Sequence, residues 1–176
     1  MKTVLRLAFI GVLSFGLLFA QDARLDPQGW SKVRWGMTLP QVQSVIPVGP
    51  QRDRGAYGAS YQLQPVNIFD IPMACVVKVD STEVVTAVSM FSSFGGKGDP
   101  IGNGRIEHEI ISDKLREKYG APTEKTTERR TSGIVTRTVW IFPTTSIVLQ
   151  YDAYPRIATG VVSIMYKSIG KKSDIL

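Results

Sequence analysis

The apolar positions of this chain recur with two different periods. Over 39–46 they recur every three or four residues, which predicts a short amphipathic helix. Thr38 and Gln41 have the spacing of a capping box at its start. A longer helix is predicted over 105–119, where the residues expected to face the core are Ile106, Ile110, Ile111, Leu115 and Tyr119.

Alternating apolar and polar residues follow each predicted helix and indicate antiparallel strands. The segments expected as strands are 57–64, 73–79, 84–92, 123–131, 134–142, 146–152 and 160–167. Single helices followed by runs of strands predict an α+β fold, with both helices packed on one face of an antiparallel sheet of roughly six to eight strands.

The order of predicted elements, helix then strands, occurs twice. Glycines concentrated over 95–104 predict a linker, which places a first helix-plus-meander half at 35–94 and a second at 105–169. A shift of about 71 residues brings Gly49 onto Gly120 and aligns further positions of the two halves. The pattern is compatible with an internal duplication and with chance similarity.

The N-terminal region has the layout of a secretory signal peptide. Lys2 and Arg6 precede an apolar run that is shorter than the roughly twenty residues of a membrane-spanning helix. We expect a signal peptide at 1–20, an irregular lead-in at 21–34 and a loose tail at 170–176. The protein is therefore expected in the periplasm or the medium, without stable membrane insertion after cleavage.

Composition restricts the classes of partner and of stabilising bond. The 176 residues include 21 basic and 15 acidic residues, and the net charge of +6 is spread over short basic clusters. None of these clusters has the length of a nucleic-acid-binding tail, and export also argues against nucleic acid as a partner. Because Cys75 is the only cysteine, no intramolecular disulfide can form.

The segment 35–42, Trp-Gly-Met-Thr-Leu-Pro-Gln-Val, followed by Gly49-Pro50, resembles the helix entry of the small outer-membrane assembly lipoproteins of the SmpA/OmlA type. The doubled helix-plus-meander order resembles the β-lactamase-inhibitor-protein-like fold, whose members mostly bind other proteins. The resemblance implies a tandem α+β architecture. The chain departs from the lipoprotein pattern because it has no cysteine near the expected cleavage site.

The residues that could carry catalysis are few and isolated. His108, the only histidine, is expected on a solvated helix surface, since Glu107 and Glu109 point in other directions. Cys75 alternates with apolar residues and is expected to be a buried small hydrophobe. The glycines around Lys97 lack the spacing of a phosphate-binding loop. We therefore predict no catalytic residue, metal site or cofactor.

The candidate interaction surface depends on which face of one predicted strand is buried. If Val135, Val139 and Ile141 face the helices, the opposite face presents an aromatic anchor. The surface would then comprise Trp140, Thr136, Thr138 and Phe142, with Arg129 and Arg130 nearby. The reversed orientation places Trp140 in the core and Arg137 at a rim, and the sequence leaves both orientations open.

The leading functional prediction is an exported, non-enzymatic protein-interaction module of the bacterial envelope or secretome. Its partner is expected to be another envelope or secreted protein. Two alternatives remain from the sequence: a periplasmic carrier of an apolar ligand held between helices and sheet, and a hydrolase with unrecognised catalytic residues.

Overall fold

The computed structural model describes residues 25–56, 58–95 and 98–170. These residues form an α+β fold in which helices pack against a large antiparallel sheet, as the sequence predicts. The expected signal peptide at 1–20 lies outside the described residues, and so does the expected tail beyond Gly170.

The helices and strands of these residues are numbered in chain order. The helices are α1 (Leu39–Val45) and α2 (Pro100–Tyr119). The strands are β1 (Gly29–Trp30), β2 (Val33–Arg34), β3 (Val48–Gly55), β4 (Gly58–Ile68), β5 (Ile71–Val79), β6 (Val85–Gly95), β7 (Glu124–Arg130), β8 (Gly133–Ile141), β9 (Thr145–Tyr154) and β10 (Thr159–Ser168).

The sheet is built from two meanders that meet at its centre. Its eight strands have the order β3-β4-β5-β6-β10-β9-β8-β7, and the two central strands, β6 and β10, pair in antiparallel register. Each half is therefore one helix followed by four consecutive strands, and the last strands of the two halves pair with each other. The repeated order of elements expected from the sequence is present in the fold.

Two small elements occur where no regular structure was expected. The lead-in carries a hairpin in which β1 pairs with β2. Strand β3 follows α1 directly, although Pro47, Gly49 and Pro50 suggested only a helix stop. A strand at the sheet edge tolerates proline because one side of its backbone has no ladder partner, and the β3–β4 register is interrupted twice.

The prediction of a linker over 95–104 is wrong in its second part, because α2 begins at Pro100. Asp99 caps this helix and accepts a hydrogen bond from the amide of Gly102 at 2.8 Å. A Cβ on Gly104 would lie 2.8 Å from the ring of Tyr151. This glycine therefore permits close packing of the helix on the sheet, and a glycine-rich composition at this position does not indicate a flexible connection.

The buried face of α2 is as predicted at Ile111, Leu115 and Tyr119, and differs from the prediction at its N-terminal half. Ile106 and Ile110 are 50% and 44% exposed. The residues that the helix buries along its length are Pro100, Gly104, His108, Ile111, Leu115 and Tyr119. The buried residues include Gly104 and His108, which are not strongly apolar. A prediction based on hydropathy alone therefore chose the neighbouring isoleucines as the buried residues of this part of the helix.

The core lies between the helices and the sheet, and β5 contributes to it as the alternation predicted. Met73, Cys75 and Val77 on that strand are each at most 1% exposed. Burial raises the pKa of the Cys75 thiol to about 12. A thiol that stays protonated is a weak nucleophile, which fits the expectation of a structural cysteine.

Candidate functional site

Trp140 belongs to the core. It pairs with Ile147 on the neighbouring strand, is completely buried, and donates a hydrogen bond from its Nε1 to the carbonyl of Gly120 at 2.9 Å. Arg137 is exposed. Of the two orientations that the sequence left open, the reversed one is therefore correct, and the prediction of Trp140 as a surface anchor is wrong.

Three more residues of the predicted surface also lie on the helix side of the sheet. Thr138 is completely buried, and Thr136 is half-buried with its Oγ1 3.3 Å from that of Thr127. Phe142 is 3% exposed and packs edge-on against Tyr119, with ring centroids 5.6 Å apart. Phe142 therefore packs against α2, and neither Phe142 nor Thr138 is exposed to a partner.

Arg129 and Arg130 are exposed on the edge strand β7. As consecutive residues of a strand, they point to opposite faces of the sheet. Arg130 donates two hydrogen bonds to Glu128, at 2.8 and 3.2 Å, which raise the pKa of its guanidinium. In the β7–β8 register, Arg129 shares the sheet face of Thr136, whereas Arg130 lies on the opposite face.

His108 is buried rather than solvated, so its predicted location is wrong. Only 4% of it is exposed, and its ring centroid lies 6.1 Å from that of Tyr151. Burial, followed by the charge of Lys125, lowers its pKa to about 4 despite the opposing effect of Glu109. Within the described residues, its Nε2 has no hydrogen-bond partner and no cluster of three potential metal ligands occurs.

A cleft of about 830 Å³ opens on the helix side of the sheet. It lies where the β1–β2 hairpin, the end of α2, strand β10 and the β4–β5 turn meet. Its volume is within the range of roughly 300–1,000 Å³ typical of ligand sites. Its lining residues include Trp30, Arg34, Phe69, Lys118, Ile164 and Tyr166.

The floor of the cleft is apolar and comes from the centre of the sheet. Ile164 and Tyr166 on β10 are 1% and 7% exposed, and Tyr119 closes one end. Burial raises the pKa of the Tyr166 phenol well above its ordinary value, and Tyr119 raises it further. The phenol is therefore protonated at neutral pH, the state in which its hydroxyl donates a hydrogen bond.

Phe69 stands at the rim of the cleft in an unusual turn. Ile68 pairs with Ile71, so Phe69 and Asp70 form a two-residue loop, and both have positive φ values of 52° and 67°. Two-residue turns of this kind favour Asn and Gly, because most side chains are strained at positive φ. The strained turn holds an aromatic ring that is 38% exposed at the mouth of the cleft. Backbone strain of this kind is concentrated at functional sites in many proteins.

The lead-in forms one wall of the cleft and is tied to the second half of the chain. The Thr144 amide and hydroxyl both donate to Asp26 Oδ2, at 2.7 and 2.8 Å. Trp35 Nε1 donates to Thr145 Oγ1 at 2.7 Å. These contacts between segments far apart in sequence fix the position of the wall relative to β9 and β10.

Two cations lie at the cleft. The Arg34 guanidinium donates to the carbonyls of Ser31 and Val33, at 2.6 and 3.2 Å. The Lys118 ammonium lies 5.0 Å from the centre of the Tyr119 ring. Arg34 and Lys118 therefore place two positive charges beside the aromatic lining of the cleft.

Local sequence patterns do not reveal the cleft, because its residues come from four segments that only the tertiary structure brings together. One local signal was available, namely an aromatic residue and an aspartate at the expected turn between two strands. Comparisons with protein-family models, curated proteins and solved structures gave no match to this chain. Among the helices of the described residues, none has both the length and the apolar character needed to span a membrane.

Proposed function

We propose that this protein is an exported, non-enzymatic interaction module that binds a segment of a partner protein in the cleft beside the β1–β2 hairpin. The observation that carries the proposal is the pair of aromatic side chains, Trp30 and Phe69, that line a cleft with an apolar floor. Tryptophan, tyrosine and arginine, all present in this lining, are enriched among the residues that dominate binding energy at protein interfaces.

The chemistry of the lining supports binding without covalent catalysis. The Tyr166 phenol has a raised pKa, and the cleft contains no histidine or cysteine among its lining residues. The charged groups at the cleft are Asp26, Arg34 and Lys118, and the carboxylate of Asp26 accepts hydrogen bonds from Thr144. This set can orient a ligand but offers no paired base and nucleophile.

A carrier of a small amphipathic ligand is the second candidate, because the volume of the cleft also suits a small molecule. Such a ligand would lie in an open cleft at the surface, whereas the sequence-based alternative placed an apolar ligand between helices and sheet. The two candidates predict different masses bound at the same residues.

Site-specific photocrosslinking in cells tests both candidates. Phe69 is replaced with a photoreactive phenylalanine analogue, and the matched control carries the analogue at Ile157, which is 69% exposed beyond the opposite end of β10. We expect a protein adduct from position 69 and none from position 157. A small-molecule adduct at position 69 would favour the carrier, and equal labelling at both positions would overturn the proposed site.

A further inference from the structure

Arg34 and Lys118 are the two cations among the lining residues of the cleft, and neither forms an ion pair with a carboxylate of the described residues. On α2, Lys114 bonds to Glu117 and Arg116 bonds to Asp113, each at 2.9 Å. Lys118, one turn further along, contacts a tyrosine ring instead. Lys114 and Arg116 therefore have carboxylate partners on α2 itself, whereas Lys118, at the cleft, has none among the described residues.

The guanidinium of Arg34 is held in place before any partner binds. Its Nη1 donates to both Ser31 O and Val33 O, so one side of the fork is fixed by backbone carbonyls. Its Nη2 and Nε groups make no hydrogen bond within the described parts of the chain, and they remain available to a carboxylate. A planar guanidinium fixed in this way recognises carboxylates with little loss of side-chain entropy.

The acidic residue in the lining does not neutralise these cations. Asp26 Oδ2 accepts two hydrogen bonds from Thr144, and Asp26 Oδ1 accepts one from the amide of Gln28 at 3.2 Å. The carboxylate therefore serves to fix the lead-in. Neither Arg34 nor Lys118 forms an ion pair with Asp26, and two cations against one carboxylate leave the lining with a net positive charge.

We propose that the partner segment carries a carboxylate next to a large apolar side chain. The apolar side chain would lie between Trp30 and Phe69 on the floor of the cleft, and the carboxylate would pair with Arg34 and Lys118. This inference rests on the proposed function and adds the chemical class of the partner: an acidic-hydrophobic segment of a protein chain. Charge complementarity would set its orientation, whereas the aromatic groups would supply most of its affinity.

Selection from a displayed library of random dodecapeptides tests this class of partner. The bait is the full chain, expressed with its own N-terminal segment and purified after export. We expect selected peptides to place Asp or Glu within two positions of an aromatic or aliphatic residue. The Arg34→Gln, Lys118→Gln double variant should lose the acidic preference and retain the apolar one.

The matched control is the Lys114→Gln, Arg116→Gln double variant, which removes the same net charge from exposed positions on α2 that do not line the cleft. A synthetic peptide with the selected sequence should bind the Arg34/Lys118 variant roughly tenfold more weakly than the parent. It should bind the control variant unchanged, and added salt should weaken binding to the parent more than to the Arg34/Lys118 variant.

The outcomes separate this inference from the proposed function on which it rests. Apolar selection without acidic selection, abolished by Trp30→Ala, would overturn the carboxylate and leave the cleft as a binding site. Acidic selection that persists in the Arg34/Lys118 variant would overturn the assigned cations. Equal selection by the parent and by Trp30→Ala would overturn both proposals.

Discussion

The two halves of this molecule repeat one architecture but cover the sheet differently. In the second half, α2 has twenty residues and contacts strands β6, β9 and β10. In the first half, α1 has only seven residues. The small β1–β2 hairpin contacts the central strands instead, and the cleft lies beside it. The candidate site therefore forms where the repeat is broken.

The equivalent hairpins of the two halves show what this difference does to a phenylalanine. Phe142, after β8, is 3% exposed and packs against Tyr119 at the end of α2. Phe69, after β4, is 38% exposed at the mouth of the cleft. One ring contributes to folding stability, whereas the other is available to a partner. Similar residues at equivalent positions can thus serve stability in one half and binding in the other.

The largest effect is expected from a comparison of two tryptophans, one in the core of the second half and one in the β1–β2 hairpin. Trp140→Ala removes a completely buried ring and should lower the free energy of unfolding by about 3–5 kcal/mol. Trp30 is only half-buried, so Trp30→Ala should cost about 1–2 kcal/mol and remove partner binding. Denaturant unfolding measures the free energy of unfolding of both variants, and crosslinking from position 69 measures partner binding. A larger stability loss for Trp30→Ala would contradict the assignment of core and cleft.

The free energy of unfolding should decrease at acid pH because of His108, a residue of the second half. Its pKa is lowered from 6.5 to about 4 in the folded protein, so acid protonates the unfolded chain first. Stability is complete above about pH 6.5 and should fall by about 3 kcal/mol as the pH is lowered toward 4. Unfolding curves measured across this range test the expectation.

His108→Phe keeps a ring against Tyr151 and should flatten this pH dependence. The raised pKa of Glu107 makes the folded state more stable as the pH falls, and it does so equally in the parent and the variant. The difference between their pH profiles therefore gives the contribution of His108 alone. An unchanged slope in the variant would mean that His108 is accessible to solvent. That result would restore the location predicted from the sequence.

Two glycines test how far the repeat extends. Gly58 begins β4, and Gly133 begins β8. A Cβ on Gly58 would overlap the carbonyl oxygen of Val79, and one on Gly133 would overlap that of Ala153. Gly58→Ala and Gly133→Ala should each cost about 2 kcal/mol or more, because a backbone carbonyl must move.

Gly55→Ala is the matched control for these substitutions, since a Cβ at Gly55 meets open space. It should change the free energy of unfolding by less than about 0.5 kcal/mol. Thermal or denaturant unfolding of the variants provides the comparison. If only one of the two substitutions lowered the free energy of unfolding, the first residues of β4 and β8 would not be packed equivalently.

Alternation along the sequence predicted the core-facing residues of β5 correctly. On β5, Met73, Cys75 and Val77 alternate with positions that include Lys78, and the buried face followed directly. On β8 both faces carry large apolar residues, so alternation could not decide which one packs under α2. The Nε1 group of the buried Trp140 is satisfied by the carbonyl of Gly120, a tertiary contact that no local pattern predicts.

The cleft was beyond prediction for a related reason. Its aromatic rim joins the lead-in to a turn about forty residues away, and its cations come from β2 and α2. Each residue alone resembles an ordinary packing or surface position. The hydrogen bonds from Thr144 to Asp26 and from Trp35 to Thr145 show that the lead-in is held as a wall of this site.

The smallest expected effect concerns the strained turn itself. Replacing Phe69-Asp70 with Asn-Gly supplies residues that accept positive φ and should raise the free energy of unfolding by about 1 kcal/mol. The same change removes the exposed ring and should weaken binding of the library-selected peptide. Asp70→Gly alone is the control, because it relieves part of the strain and keeps Phe69.

Opposite changes in stability and binding would mean that the turn retains a strained phenylalanine for its partner. If Asn-Gly left binding intact, the exposed ring would have no role in recognition, and the contrast with Phe142 would reduce to a difference in packing. If stability fell instead, Phe69 would contribute more through contacts with the cleft than it costs in backbone strain. The first half would then be stabilised by this ring in the same way as the second half is stabilised by Phe142.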